Sequence, residues 1–156
     1  MAREDLLDVE AEVTGDIGLI TLSGQLMAES RTKLERLLRD WTEDGVRFVR
    51  VACRGLEYID SAGLSTMIGA SHRLKRAGGS LVLCDMNPTV GALFEVASME
   101  HYIELFRTVE EADKALKKLA SLRRKKGKAA LAAETLKPRG KPKPRTKIAA
   151  RTKTKD

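Results

Sequence analysis

The sequence is short of aromatic side chains, cysteines and long apolar runs. Phe, Trp and Tyr together make up 4% of it, so a core must be built mainly from Leu, Ile, Val, Ala and Met. Its two cysteines, Cys53 and Cys84, each sit inside an apolar stretch. Neither belongs to a Cys-x-x-Cys pair or a His/Cys cluster, which argues against a metal site and for two reduced core thiols. No stretch is long enough to cross a bilayer, and the amino terminus lacks a signal-peptide pattern. Membrane insertion is therefore not expected, and a cytoplasmic location is. The two histidines have no partner nucleophile nearby in sequence: His72 is expected on an exposed helix face and His101 in a loop before a strand. Without a Ser/His/Asp spacing, a Gly-rich phosphate loop or a paired-carboxylate motif, no catalytic residue, no metal and no cofactor are expected.

What is present is charge, unevenly distributed. The net charge of +7 averages two unlike parts. Residues 1–122 carry 15 Lys+Arg against 20 Asp+Glu, a net −5, whereas residues 123–156 carry 14 Lys+Arg against Glu134 and Asp156, a net +12. An acidic body precedes a basic tail, and the two call for separate treatment.

The body shows alternating strand and helix patterns. Glu10–Val13 and Ile17–Leu22 flank Gly15-Asp16, a hairpin signal. Over about 29–43, Leu34, Leu37, Leu38 and Trp41 fall at helical spacing. Val46–Cys53 alternates as a strand, with Arg50 and Ala52 on the opposite face from Val49, Val51 and Cys53. A helix is expected from Ser61 to Ala77 with Leu64, Met67, Ile68, Ser71 and Leu74 inward, ended by Gly78-Gly79. Ser80–Cys84 reads as a doubly buried strand. Asn87-Pro88 reads as an N-cap followed by an N1 proline, opening a helix with Val90, Leu93, Phe94 and Ala97 on one side. A weak strand near Ile103–Phe106 is followed by a capping box, Thr108 to Glu111, and a helix with Val109, Ala112, Leu116 and Leu119 inward. The order β-β-α-β-α-β-α-β-α predicts an α/β fold: a mixed, mostly parallel sheet with about four helices.

One segment stands out. Asp60-Ser61 falls where a strand gives way to a helix, at the sheet edge where open α/β folds bind partners and ligands. Asp60 suits an N-cap. Gly63 in the first helical turn costs about 1 kcal/mol against alanine, which implies that something approaches the backbone closely there. Ser61 and Ser65 would lie exposed near the helix start. A Ser or Asp at a helix start is by itself usually just a cap.

The surrounding sequence narrows this. Gly55-Leu56-Glu57-Tyr58-Ile59-Asp60-Ser61-Ala62-Gly63-Leu64 resembles the signature of the STAS family, the domain of anti-sigma factor antagonists. Ile20 to Leu26, Gly78 to Leu83, Asn87 to Ala97 and Thr108 to Ala112 are similar to its other motifs, in register across about residues 8–120. The resemblance implies a STAS domain over 8–120 that acts by binding protein. The serine matching Ser61 is then the phosphoacceptor of a serine kinase that doubles as anti-sigma factor. Asp60, Ser61, Ala62, Gly63, Leu64 and Ser65 are the implied docking surface, and phosphorylation blocks docking. Two positions depart from the family pattern. Gln25-Leu26-Met27 replaces Glu-Leu-Asp, and Ala52 replaces an Asp eight residues before Asp60. Both acids expected beside the phosphoacceptor are thus absent, which bears on kinase recognition rather than on the fold.

Residues 123–156 are expected to be a disordered basic tail, with 129–136 capable of a marginal helix. Such a run is a solvated tail, a ligand for nucleic acid or for the acidic body. Arg139, Gly140, Lys141 and Pro142, after Pro138, resemble a minor-groove AT-hook core with lysine in place of the second arginine. The absence of aromatics excludes base stacking there. The leading expectation is an anti-sigma factor antagonist. The alternatives are a DNA-associated protein with the STAS body as scaffold, and a STAS subunit of a transporter or signalling complex.

Overall fold

A computed structural model describes residues 6–136, with side chains described for residues 6–128. The chain divides into two compact units, Met1–Ser121 and Leu122–Asp156. The first unit is an α/β sandwich. Its strands are β1 (Leu7–Thr14), β2 (Ile17–Leu26), β3 (Phe48–Ile59), β4 (Ser80–Cys84) and β5 (Glu104–Phe106). Its helices are α1 (Arg31–Glu43), α2 (Ser61–Arg76), α3 (Pro88–Val96) and the beginning of α4 (Val109–Leu136). The strands lie side by side in sequence order; β1 and β2 form an antiparallel hairpin and the remaining pairs are parallel.

Strand alternation divides the core in two. Ile20, Leu22, Val49, Val51, Leu81 and Leu83 face α1, α2 and α3, and pack against Leu34, Leu38, Met67, Leu74, Val90 and Phe94. Phe48, Ala52, Val82 and Cys84 face the other way, against Ala112, Leu116 and Ala120 of α4. The expected inner face of α4 therefore holds, with Val109 and Leu119 at its margins. Both thiols are buried. Burial pushes the Cys53 thiol far up and Cys84 up to about 11, which favours the protonated thiol of a core residue at neutral pH.

Three details differ from the sequence expectation. Arg50 lies on the face opposite Val49 and Val51, as the alternation implies, but that face is covered: Arg50 is buried and its guanidinium pairs with Asp113 of α4 at 2.9 and 3.2 Å. β3 does not stop at Cys53 but continues through the signature to Ile59. Beyond Ala52 it has left β4 and pairs with β2 alone. Finally, α4 does not end near residue 122. It runs unbroken through the basic run and Gly127 to Leu136, so the marginal helix expected over 129–136 is present as the end of a helix that also includes 123–128. One glycine penalty of about 1 kcal/mol is offset by the alanines at 129, 130, 132 and 133, the best helix formers. Among the described residues, no helix is long and apolar enough to cross a membrane.

Candidate functional site

The site forms at the carboxyl ends of β2 and β3. Asp60 leaves β3 in an extended conformation, φ −103° and ψ −174°, and caps α2. Its Oδ1 accepts from the Gly63 N–H at 2.9 Å, and its Oδ2 accepts from the Ala28 N–H at 3.1 Å. Its own N–H donates to the Leu26 carbonyl at 3.2 Å, and its carbonyl accepts from Leu64 N–H at 2.9 Å. One residue thus ties the start of α2 to the connection between β2 and α1. Ser30 holds that connection from within. Fully buried, its hydroxyl donates to the Gln25 carbonyl at 2.6 Å and accepts from the Met27 N–H at 3.0 Å. Ser30 occupies the N-cap position of α1 without making a cap bond, so the usual sequence signal for a serine before a helix misdescribes it.

Gly63 is buried, and a Cβ there would stand 2.5 Å from the Leu26 carbonyl oxygen and 2.7 Å from Ile59 Cγ1. The close approach expected at this glycine exists, but it comes from the chain's own strand ends. Ala62 and Leu64 are half-buried, while Ser61 and Ser65 are exposed. Ser61 is the first residue of α2, and Ser65 lies one turn on, at i+4 on the same side. The first-turn N–H groups lack helical acceptors and carry the positive end of the helix dipole. No acidic residue sits in this turn, and Arg73, Lys75 and Arg76 complement the opposite end. Anionic groups are therefore favoured at Ser61.

The two departures from the family pattern fall in different places. Met27 lies in the connection that Asp60 grips, next to Ala28. Ala52 does not stand beside Ser61. It is buried against α4, roughly 25 Å from Asp60 along a strand rising about 3.3 Å per residue. Packed among apolar side chains, that position would penalise an acid, and its alanine says nothing about the exposed serine.

The neighbouring helix α3 is anchored by Asn87. Its Oδ1 accepts from the Val90 N–H at 2.9 Å, while its Nδ2 donates to the carbonyls of Arg54 at 2.9 Å and Leu56 at 2.6 Å. These carbonyls lie on the stretch of β3 that β4 no longer covers. Asp85 precedes this turn at φ +58° and is held by the Arg54 guanidinium through contacts of 2.8 to 3.1 Å. Tyr58, on the same stretch of β3, is 45% exposed. His72 and His101 are exposed, His101 in a short 3-10 turn, and neither approaches Ser61 through a hydrogen bond. Among the described residues, no three His, Cys, Asp or Glu side chains gather to hold a metal ion. Arg139, Gly140, Lys141 and Pro142 lie outside the described residues.

The STAS domain model matches residues 8–112, most of the chain. The chain belongs to the STAS domain family. BtrV of Bordetella bronchiseptica, named as a candidate anti-sigma factor antagonist, is 30% identical over 96 residues, spanning 62% of this chain and 83% of BtrV. The anti-sigma-B factor antagonist of Bacillus subtilis is 26% identical over 86 residues, 55% of this chain and 78% of its own. A solved anti-sigma factor antagonist from Mycobacterium paratuberculosis shares the fold with a TM-score of 0.65 at 16% identity, covering 72% of this chain and 96% of that one. The Bacillus protein SpoIIAA, solved in its phosphorylated form, gives 0.56 at 21% identity, covering 69% and 98%. The fold of this chain, a five-stranded mixed sheet with four helices, is thus shared with the two solved structures.

Proposed function

We propose that this chain is an anti-sigma factor antagonist, a regulatory binding protein of the cytoplasm rather than an enzyme. Its docking surface is the start of α2, from Asp60 to Ser65, and its partner is an anti-sigma factor of the serine-kinase type. Phosphorylation of Ser61 releases that partner. The names of its relatives support the antagonist role.

The observation that carries the switch is a division of labour between two adjacent residues. Both carboxylate oxygens of Asp60 are engaged by main-chain N–H groups, so Asp60 serves the fold. Ser61 is exposed, and among the described residues its hydroxyl has no hydrogen-bond partner. A kinase can reach it without opening the domain. A phosphate there adds about −1.5 to −2 charges, which a helix N-terminus tolerates in water. In a packed interface the same charge must be desolvated beside the Asp60 carboxylate. A loss of about 2.7 kcal/mol lowers affinity a hundredfold.

The test is binding of a serine-kinase anti-sigma factor from the same genome by titration calorimetry. Ser61→Ala should bind as the unmodified protein does, and Ser61→Asp about a hundredfold more weakly. Equal affinities for the two variants would overturn the switch, and no binding by either Ser61→Ala or the unmodified chain would overturn the docking.

A further inference from the structure

The second compact unit holds a feature that an antagonist docking through α2 does not use. Arg123, Arg124, Lys125, Lys126 and Lys128 place five cations within six residues of the continuous helix α4. All of these positions are exposed. At about 100° per residue, five such positions encircle the helix rather than forming one face. Steps of three and four residues from the buried Ala120 lead to Arg123 and Arg124, and then to Gly127, so the apolar stripe of α4 ends there. Among residues 122–128, whose side chains are described, only Leu122 is a large apolar side chain, and it lies before the cations.

We infer that this basic turn of α4 is a nucleic-acid-binding element that enters the major groove of double-stranded DNA. A helix charged on all sides fits a ligand that offers anions on more than one side. The B-form major groove does so: it is about 12 Å wide, admits a helix of about 10–12 Å diameter, and has a phosphate strand along each wall. A membrane surface offers charge from one side only and holds a helix by an apolar face, which this turn does not have. Duplex RNA has a deep, narrow major groove that excludes a helix. The sequence stays cationic beyond residue 136. No base-reading side chain is implied; the contacts are to phosphates, and the binding is sequence-tolerant.

The test uses the full chain and a fluorescent DNA duplex of about 20 bp and arbitrary sequence, long enough for two helical turns. Affinity should fall by about a thousandfold or more as salt rises from about 50 to about 200 mM, given six or more neutralised phosphates. The variant Arg123→Gln, Lys125→Gln, Lys126→Gln, Lys128→Gln should bind at least tenfold more weakly in about 100 mM salt, with a logarithmic salt slope shallower by about 3 to 4. Circular dichroism should show its helix content unchanged, because glutamine is nearly as good a helix former as lysine. Should that content fall, Lys→Arg changes at 125, 126 and 128, which keep charge and helix, must retain the slope. The inference is overturned if the unmodified chain does not bind at low salt, or if the variant keeps the full slope. It is likewise overturned if duplex RNA or phosphatidylserine vesicles bind the chain more tightly than DNA.

Discussion

Helices α2 and α3 begin in nearly the same way, and the small difference between them separates the start proposed as the docking site from a structural one. Each has an Asx residue in extended conformation as N-cap. Each cap accepts from the N–H three residues on at 2.9 Å, and each uses its second side-chain atom to reach a distant segment. The chemistry of that second atom differs. The Asp60 oxygen faces an N–H donor, so a carboxylate is required; the Asn87 nitrogen faces two carbonyls, so an amide is required. The residue after each cap differs as well. Pro88 has no N–H and offers nothing to an anion, whereas Ser61 brings both an N–H and an exposed hydroxyl. Two caps of equal geometry thus leave one helix start inert and the other able to carry a phosphate.

Exchanging the second atoms should break the parallel most severely. Asn87→Asp sets a carboxylate against the carbonyls of Arg54 and Leu56, and should lower stability by about 3 kcal/mol in urea denaturation. The glycines in the two first turns should respond in opposite directions. Gly63→Ala forces a methyl against the Leu26 carbonyl and should destabilise by about 2 kcal/mol. Gly91→Ala meets nothing nearer than Met86 Cβ at 3.9 Å, and should stabilise by about 0.5–1 kcal/mol in the same measurement. Asp60→Asn keeps one acceptor but turns an NH2 toward the other N–H, at about 1–2 kcal/mol, again read from the denaturation midpoint. The smallest effect is expected from Thr89→Asp, which places at the start of α3 the charge that Ser61→Asp places on α2. It should shift stability by under about 0.5 kcal/mol and leave partner affinity in calorimetry unchanged.

Most of this architecture was legible because it rests on local patterns. The Asn87-Pro88 cap and the inner face of α4 are each encoded within a few residues. The features that escaped depend on distant partners. The alternation gives Arg50 its face but not its burial, which Asp113, 63 residues later, makes tolerable. The alternation that marks β3 ends at Cys53, but pairing with Gln25 and Leu26 keeps the signature in the sheet to Ile59. The pattern of α4 changes at Leu122, where the cations begin, while the propensity of the alanines beyond carries the helix on. At the candidate site, the cap and the exposed serine were legible. The grip of Asp60 on Ala28 and the burial of Ser30 were not, because both arise where two connections meet in space.

The contact between Gly63 and the Leu26 carbonyl has a consequence for inheritance. Part of the motif that advertises the switch is obligatory for packing, so mutation and selection can separate the two. A related chain without the proposed phosphorylation would still need Asp60 and Gly63 for packing, and could dispense with Ser61 alone. When this signature is used to assign a role to a new sequence, the aspartate and glycine vouch for the fold; the residue between them and the partner encoded nearby must vouch for the switch.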